Sequence, residues 1–231
     1  MKLNHIAIIP DGNRRWAKAH RLPTFKGHEK GMANVEYILR EARRMNIPYV
    51  TAWGCSRDNV TKRSISEIRF LYNIFEKNFN KMLTDEEIHK NKVRVRVIGE
   101  WPKFFPSGLR KSIRAIEEAT KTYNKFHLTF LMAYDGKREM AEAIRRAQKS
   151  SSSVSESNLK NYLWTKDLPP VDLVIRSGES GNFAHWSAGF LMWHTADSEF
   201  YFTKTTWPAF SAKEFRKAIK LYEKRPRNKG K

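Results

Sequence analysis

At 231 residues the chain is long enough to bury a full core, and one α/β domain is the simplest count. It carries 44 Lys+Arg against 24 Asp+Glu, a net charge of +20 and a pI near 10.1, which favours anionic partners: diphosphates, nucleic acid or an anionic membrane surface. A single cysteine, Cys55, excludes an intramolecular disulfide and a Cys-rich metal site, and no apolar run approaches the ~20 residues that cross a bilayer, so a soluble cytoplasmic protein, at most peripheral to a membrane, is expected.

The first expected strand, His5–Ile9, ends in Pro10-Asp-Gly-Asn13 and turns directly into a basic helix start, Arg14-Arg-Trp-Ala-Lys18. Backbone N–H groups, a carboxylate and two guanidinium groups converge there at a strand's carboxyl end, the outline of a phosphate-and-metal site. Asp11 is a hard oxygen ligand of the kind Mg²⁺ prefers, Gly12 lets the backbone approach an anion closely, and Arg14 and Arg15 supply forked donors to phosphate oxygens. The same Asp-Gly-Asn is equally compatible with an ordinary turn before a solvated basic helix.

Further apolar runs at Tyr49–Trp53, Val93–Ile98, Leu128–Ala133, Asp172–Ile175 and Phe200–Phe202 read as strands. Between them, helical spacing recurs at Glu29–Met45, Glu67–Lys81, Ser107–Tyr123, Arg138–Lys149, Ser157–Leu163 and Ser211–Lys224. This alternation predicts a single α/β domain over residues 1–224, with a central, mostly parallel six-stranded sheet flanked by helices. Ser107 and Ser211 are candidate N-caps, the latter with Glu214 in capping-box spacing. The Ser150–Ser153 run reads as a surface loop and residues 225–231 as a basic, fraying tail.

In an open α/β sheet, ligands bind at the carboxyl ends of the strands, so the residues beside those ends form one scan. The second strand is followed by Gly54-Cys-Ser56-Arg-Asp-Asn59, then Lys62-Arg63 and Glu67. The fourth gives Tyr134-Asp-Gly-Lys-Arg138 and the fifth Arg176-Ser-Gly-Glu179, while the sixth is preceded by Asp197-Ser-Glu199.

Taken together, His5–Lys18 with Gly27-His28, Ser56 through Glu67, Asp172–Glu179, and Phe190-Leu-Met-Trp193 running into Ser198–Thr203 and Trp207-Pro208 resemble the cis-prenyltransferase family. Its best-known members make undecaprenyl diphosphate. The resemblance follows the family's order over nearly the whole chain. It implies a homodimer of α/β subunits with an apolar product tunnel between helices and sheet, and a reaction joining isopentenyl diphosphate to an allylic diphosphate with a new cis double bond. Ionisation of the allylic C–O bond builds negative charge on a leaving diphosphate, which needs Mg²⁺ and fixed donors around it.

By resemblance, Asp11 and Glu199 serve the metal. The Gly12–Arg15 backbone, Arg15 and His28 hold the allylic diphosphate, with Arg14 and Trp16 counted beside them, and Asn13 and Ser56 lie near the reacting carbons. Arg63 and Glu67 form the pair that orders the loop after the second strand, and Arg176 holds the isopentenyl diphosphate. Several of these also have plain structural readings: His28 as a helix-start cap, Glu199 as a surface ion pair, Trp16, Trp193 and Trp207 as core anchors. The stripe Ile68, Leu71, Tyr72, Phe75 and Phe79 reads as core packing at helical spacing, and the resemblance adds that its helix lines the tunnel. Phe75, Phe79, Leu128 and Phe130 are candidates for the tunnel floor.

The chain departs from the family pattern at Thr24, where an arginine is frequent, with Lys26 nearby, and at Val60, where an aromatic is frequent. The largest departure is Ser180–Gly189, a longer segment without the family's Arg-x-Ser element. His185 and Ser187 are the nearest substitutes, and a neutral histidine is a weaker diphosphate ligand than a bidentate guanidinium. Two alternatives stay open. A non-catalytic family-like subunit supporting a partner prenyltransferase fits the lost element, but not the retained Asp11, Asn13, Arg15, Arg176 and Glu199. A nucleic-acid module fits the charge, but the basic residues are dispersed and no helix-turn-helix, zinc-finger or RNA-recognition signature is present. The excess charge instead suits contact with anionic lipid, where long apolar products go.

Overall fold

The computed structural model describes residues 3–150, 155–180 and 185–225. Ser151–Ser153, the 181–184 stretch and the tail beyond Arg225 lie outside the described residues. In chain order the elements are β1 (His5–Ile9), α1 (Asn13–Ala19), α2 (Thr24–Arg44), β2 (Tyr49–Ser56), α3 (Arg57–Lys62), α4 (Ile65–Leu83), α5 (Glu86–Lys90) and β3 (Val93–Ile98). They continue with α6 (Trp101–Phe104), α7 (Ser107–Thr120), β4 (Phe126–Tyr134), α8 (Gly136–Lys149), α9 (Glu156–Leu159), a 3-10 turn at Lys160–Tyr162, β5 (Leu173–Arg176), β6 (Glu199–Phe202), a second 3-10 turn at Trp207–Ala209 and α10 (Ala212–Lys224).

The six strands form one sheet in the order β3-β4-β2-β1-β5-β6, and every pairing is parallel rather than mostly so. β1 is buried along its whole length, as a strand covered on both faces must be. Its alternation sends Ile6 and Ile8 into a core shared with α2 and α10, and Ala7 and Ile9 into the opposite core with Trp53, Tyr134 and Phe190. A third cluster packs α4, α5 and α7 over β2, β3 and β4. Single-domain architecture follows, since these clusters share one sheet. Among the described residues, no helix is long and apolar enough to cross a membrane.

Element ends differ from the sequence reading in places that have local causes. Ser211 caps α10 as expected, its Oγ accepting from Glu214 N–H at 3.2 Å. Ser107 is the first residue of α7, not its cap; that position is Pro106, in an extended conformation that leads into the helix. The Ser157–Leu163 helix divides into α9 and the 3-10 turn. α2 begins at Thr24, earlier than Glu29, directly after Pro23. The outward N–H groups of the edge strand β3 are taken up by α7: Val95 donates to Thr120 Oγ1 (3.0 Å) and Val97 to Glu117 Oε1 (2.8 Å), closing that edge to other strands.

Candidate active site

The chain leaves β1 toward β2 on one side and β5 toward β6 on the other, so the crevice between β1 and β5 is where the strand order reverses. Ile9 and Arg176 are register partners at its rim. Gly12 caps α1 with φ 97°, a left-handed turn that glycine adopts without strain and that brings the helix start directly onto the end of β1. Asp11 is clamped through its backbone, its N–H donating to Ser177 Oγ (3.0 Å) and its carbonyl accepting from Trp207 N–H (2.8 Å). The carboxylate stays half-exposed. Its Oδ1 accepts from Gly12 N–H (2.5 Å), and Oδ2 faces Arg176 Nη2 (3.3 Å) and Arg15 Nη2 (3.4 Å).

Arg176 is the buried charge of the site, only 4% exposed. Its guanidinium is surrounded by Asp11, the Glu179 carboxylate, Ser187 Oγ and the His185 carbonyl, which accepts at 3.1 Å. A guanidinium at that depth requires such partners, because an uncompensated buried charge is strongly destabilising. A second cluster lies on α2 and the α3–α4 junction. Glu67 Oε1 accepts from Arg63 Nη1 (2.9 Å) and meets His28 Nε2 at 3.4 Å. Burial, reinforced by Arg63, pushes the His28 pKa down and keeps its imidazole neutral near pH 7. Ser56 caps α3, with Oγ accepting from Asn59 N–H at 3.0 Å. Between the clusters, Gly31 lets α2 pass close to α1: a side chain there would begin 2.1 Å from Asn13 Oδ1. That oxygen is buried and has no hydrogen-bond partner among the described residues.

Both clusters open into one cleft of about 1140 Å³. Its mouth is lined by Asp11, Arg14, Arg15, Lys18, Arg21, Arg63 and Arg176, and its body by Met32, Val35, Leu71, Phe75, Phe79, Phe130 and Met132. A cationic mouth on an apolar body fits a ligand with an anionic head and a hydrocarbon tail.

Of the residues singled out from sequence, Asp11, Gly12, Asn13, Arg14, Arg15, His28, Ser56, Arg63, Arg176 and Ser187 line this cleft, and Glu67 supports it through His28 and Arg63. Three do not. Trp16 stacks on His20 with ring centroids 4.2 Å apart, outside the lining. His185, with its side chain 65% exposed, gives its carbonyl to Arg176 while its imidazole meets Ser187 Oγ (3.2 Å) and Glu179 (3.9 Å) outside the lining. Glu199 opens β6 in register with Leu173, at the amino end of the sheet, and pairs with Arg225. A residue preceding a parallel strand lies at the end away from the crevice, so within one chain Glu199 does not join Asp11. His28 sits inside α2 rather than capping it. Lys26 pairs outward with Glu29 at 2.9 Å and leaves Thr24 at the mouth without substitution. The structure adds Lys18, Arg21 and Glu179. Lys18 was legible, since it follows Arg14 by one helical turn.

Among the described residues, no group of three or more His, Cys, Asp or Glu converges as a metal cage. Mg²⁺ is commonly held by one or two carboxylates together with substrate phosphates and waters, and the half-exposed Asp11 in a cationic mouth fits a metal that arrives with a diphosphate.

A family model described as undecaprenyl diphosphate synthase matches residues 9–230. The chain is 36% identical to a tritrans,polycis-undecaprenyl-diphosphate synthase (geranylgeranyl-diphosphate specific) of Thermoplasma volcanium, over 98% of this chain and 88% of the relative. It is 34% identical to an isoprenyl transferase of Thermotoga maritima, over 98% of this chain and 96% of the relative. The solved structure of lavandulyl diphosphate synthase from Lavandula x intermedia, in complex with dimethylallyl diphosphate, is similar with a TM-score of 0.88 and 27% identity, covering 99% of this chain and 98% of that one.

Proposed function

The chain belongs to the undecaprenyl diphosphate synthase family of cis-prenyltransferases, and from that premise we propose that it condenses isopentenyl diphosphate with an allylic diphosphate to build a Z-polyprenyl diphosphate. It is a transferase of prenyl groups that elongates Z-prenyl chains. The observation that carries the finer reading is the single cleft joining an Asp11-bearing cationic mouth to an apolar body.

In this reading Arg14, Arg15 and Lys18 on α1 hold the allylic diphosphate at the end of β1, with neutral His28 donating one hydrogen bond from the α2 side. Glu67 orients both Arg63 and His28, so it positions donors without touching substrate. Arg176 and Ser187 hold the isopentenyl diphosphate in place of the missing Arg-x-Ser element, and Asn13 and Ser56 flank the reacting carbons. Asp11 would hold Mg²⁺, which when bound would supply positive charge against the negative charge that grows on a leaving diphosphate. Apolar side chains of α2, α4 and β4 exclude water from the cation left behind and take up the hydrocarbon, so the cleft serves as the product tunnel. The working unit is a homodimer, and Glu199 can join the metal centre only from a second subunit. The net charge of +20 holds the enzyme against anionic lipid.

The test incubates the protein with Mg²⁺, isopentenyl diphosphate and a panel of allylic diphosphates, geranylgeranyl diphosphate first because it is the specificity named for the Thermoplasma relative. Elongated Z-product is expected, and Asp11→Ala should lower kcat by about 10²–10³-fold, the scale of losing one preorganised electrostatic group. A folded protein that elongates no primer would point instead to a non-catalytic subunit supporting a partner prenyltransferase.

A further inference from the structure

Resting on the chain-elongation reading above, we propose that an ion-paired strap between α2 and the α4–α5 junction closes the far end of the apolar cleft and sets the length of the product. A second, apolar cavity of about 90 Å³ lies toward the amino ends of the strands, small beside the main cleft of about 1140 Å³. Four residues, Met32, Val35, Asn78 and Met82, line both, so one neck separates them. The linings advance along the same elements. On β4, Phe130 faces the cleft and Leu128 the second cavity; on β2, Ala52 faces the first and Val50 the second. Residues two apart on a strand share a face. The two cavities are therefore stations on one apolar track along one face of the sheet, leading from the rim where Asp11 sits to the opposite end.

That far end is charged. Glu36 on α2 meets both Arg40 (2.7 Å) and Lys81 of α4 (2.7 Å), and Arg40 reaches Asp85 ahead of α5 (4.0 Å). Lys81 is 59% and Arg40 46% exposed, and exposed pairs of this kind are weak. The strap can part without disturbing the core beneath it. A hydrocarbon tail that fills the cleft and passes the neck meets this strap next, and whether it opens decides whether another isoprene unit is accommodated.

The experiment resolves products by chain length for the wild type, the double variant Glu36→Ala/Asp85→Ala and the neck variant Val35→Trp, each checked for folding by circular dichroism and melting temperature. The strap variant is expected to shift the dominant product to longer chains with its initial rate of isopentenyl incorporation unchanged, and Val35→Trp to shift it to shorter ones. Unchanged distributions in both folded variants would overturn the strap while leaving the transferase reading intact. A wild type that makes no product overturns the transferase reading, and the track is then read by binding: a long-chain Z-polyprenyl diphosphate with a terminal diazirine is photolysed on the protein and the adduct mapped. Label on Leu39 or Leu128 supports the extension, and label confined to cleft residues such as Phe75 overturns it.

Discussion

Arg176 holds two carboxylates on one planar fork, which a lysine cannot imitate. The guanidinium meets Asp11 from one strand end and Glu179 from its own loop, and adds Ser187 and the His185 carbonyl. An ammonium keeps the charge but offers three donors from a single point. Arg176→Lys is therefore expected to raise the KM for isopentenyl diphosphate by about tenfold or more, equivalent to roughly 1.4 kcal/mol, with a much smaller change in the KM for the allylic substrate. Steady-state kinetics with each substrate varied in turn checks this. Equal increases in both constants would mean that Arg176 only holds the rim together. Asp11 and Arg176 were legible in sequence because Arg176 closes one apolar strand and Asp11 follows another by two residues. Glu199 lies at the amino end of the sheet within one chain, a placement its sequence hides because a short aromatic strand after a carboxylate looks the same whichever end of the sheet it enters.

Two buried polar sets, one tying β1 to β2 through His5 and one built on His194, carry histidines that make the fold sensitive to acid. His5, fully buried, bonds Thr51 Oγ1 on β2 (2.9 Å) and the Pro169 carbonyl (2.9 Å). His194 bonds Thr165 Oγ1 (2.9 Å), which donates to Glu139 (2.7 Å), whose other oxygen accepts from Tyr134 (2.5 Å). Burial pushes the pKa of both histidines down to about 4 from 6.5, more than the Pro169 carbonyl restores for His5, while His5 and Lys160 lower His194 further. The unfolded chain binds these protons first, so the stability they contribute is present above about pH 6.5 and is lost as pH falls toward 4. A gap of that size is worth roughly 3 kcal/mol per histidine. Denaturant unfolding from pH 7.5 to 4 should show a steep loss of stability below about 6.5, and His194→Asn should flatten it. A profile identical in wild type and variant would remove His194 from the account. At this scale strands were easier to read than helix starts. Apolar runs such as His5–Ile9 mark themselves, whereas the first turns of α2 contain Gly27 and Gly31, whose poor helix propensity hides a helix that tertiary contact with α1 maintains.

The whole molecule combines a sheet that the strand–helix alternation foretold with a cleft that no local pattern specifies. Phe75, Phe79, Leu128 and Phe130 are candidates for the tunnel floor by family resemblance; the three phenylalanines line the cleft, while Leu128 belongs to the second cavity. Which side of the neck each occupies depends on how α2 and α4 lie across β2 and β4, a tertiary relation absent from any single segment. The net charge of +20 is likewise a property of the whole, spread over the chain rather than held in one motif. Spread charge attracts an anionic surface without needing a site, and such attraction is screened by salt. Co-sedimentation with vesicles should therefore rise with the fraction of anionic lipid at 0.1 M salt, where the Debye length is about 10 Å, and collapse at 1 M, where it is about 3 Å. Binding to neutral vesicles that persists at 1 M salt would assign the contact to exposed apolar side chains such as Phe25 and Ile65. In that case the charge would serve diphosphate capture at the cleft mouth alone.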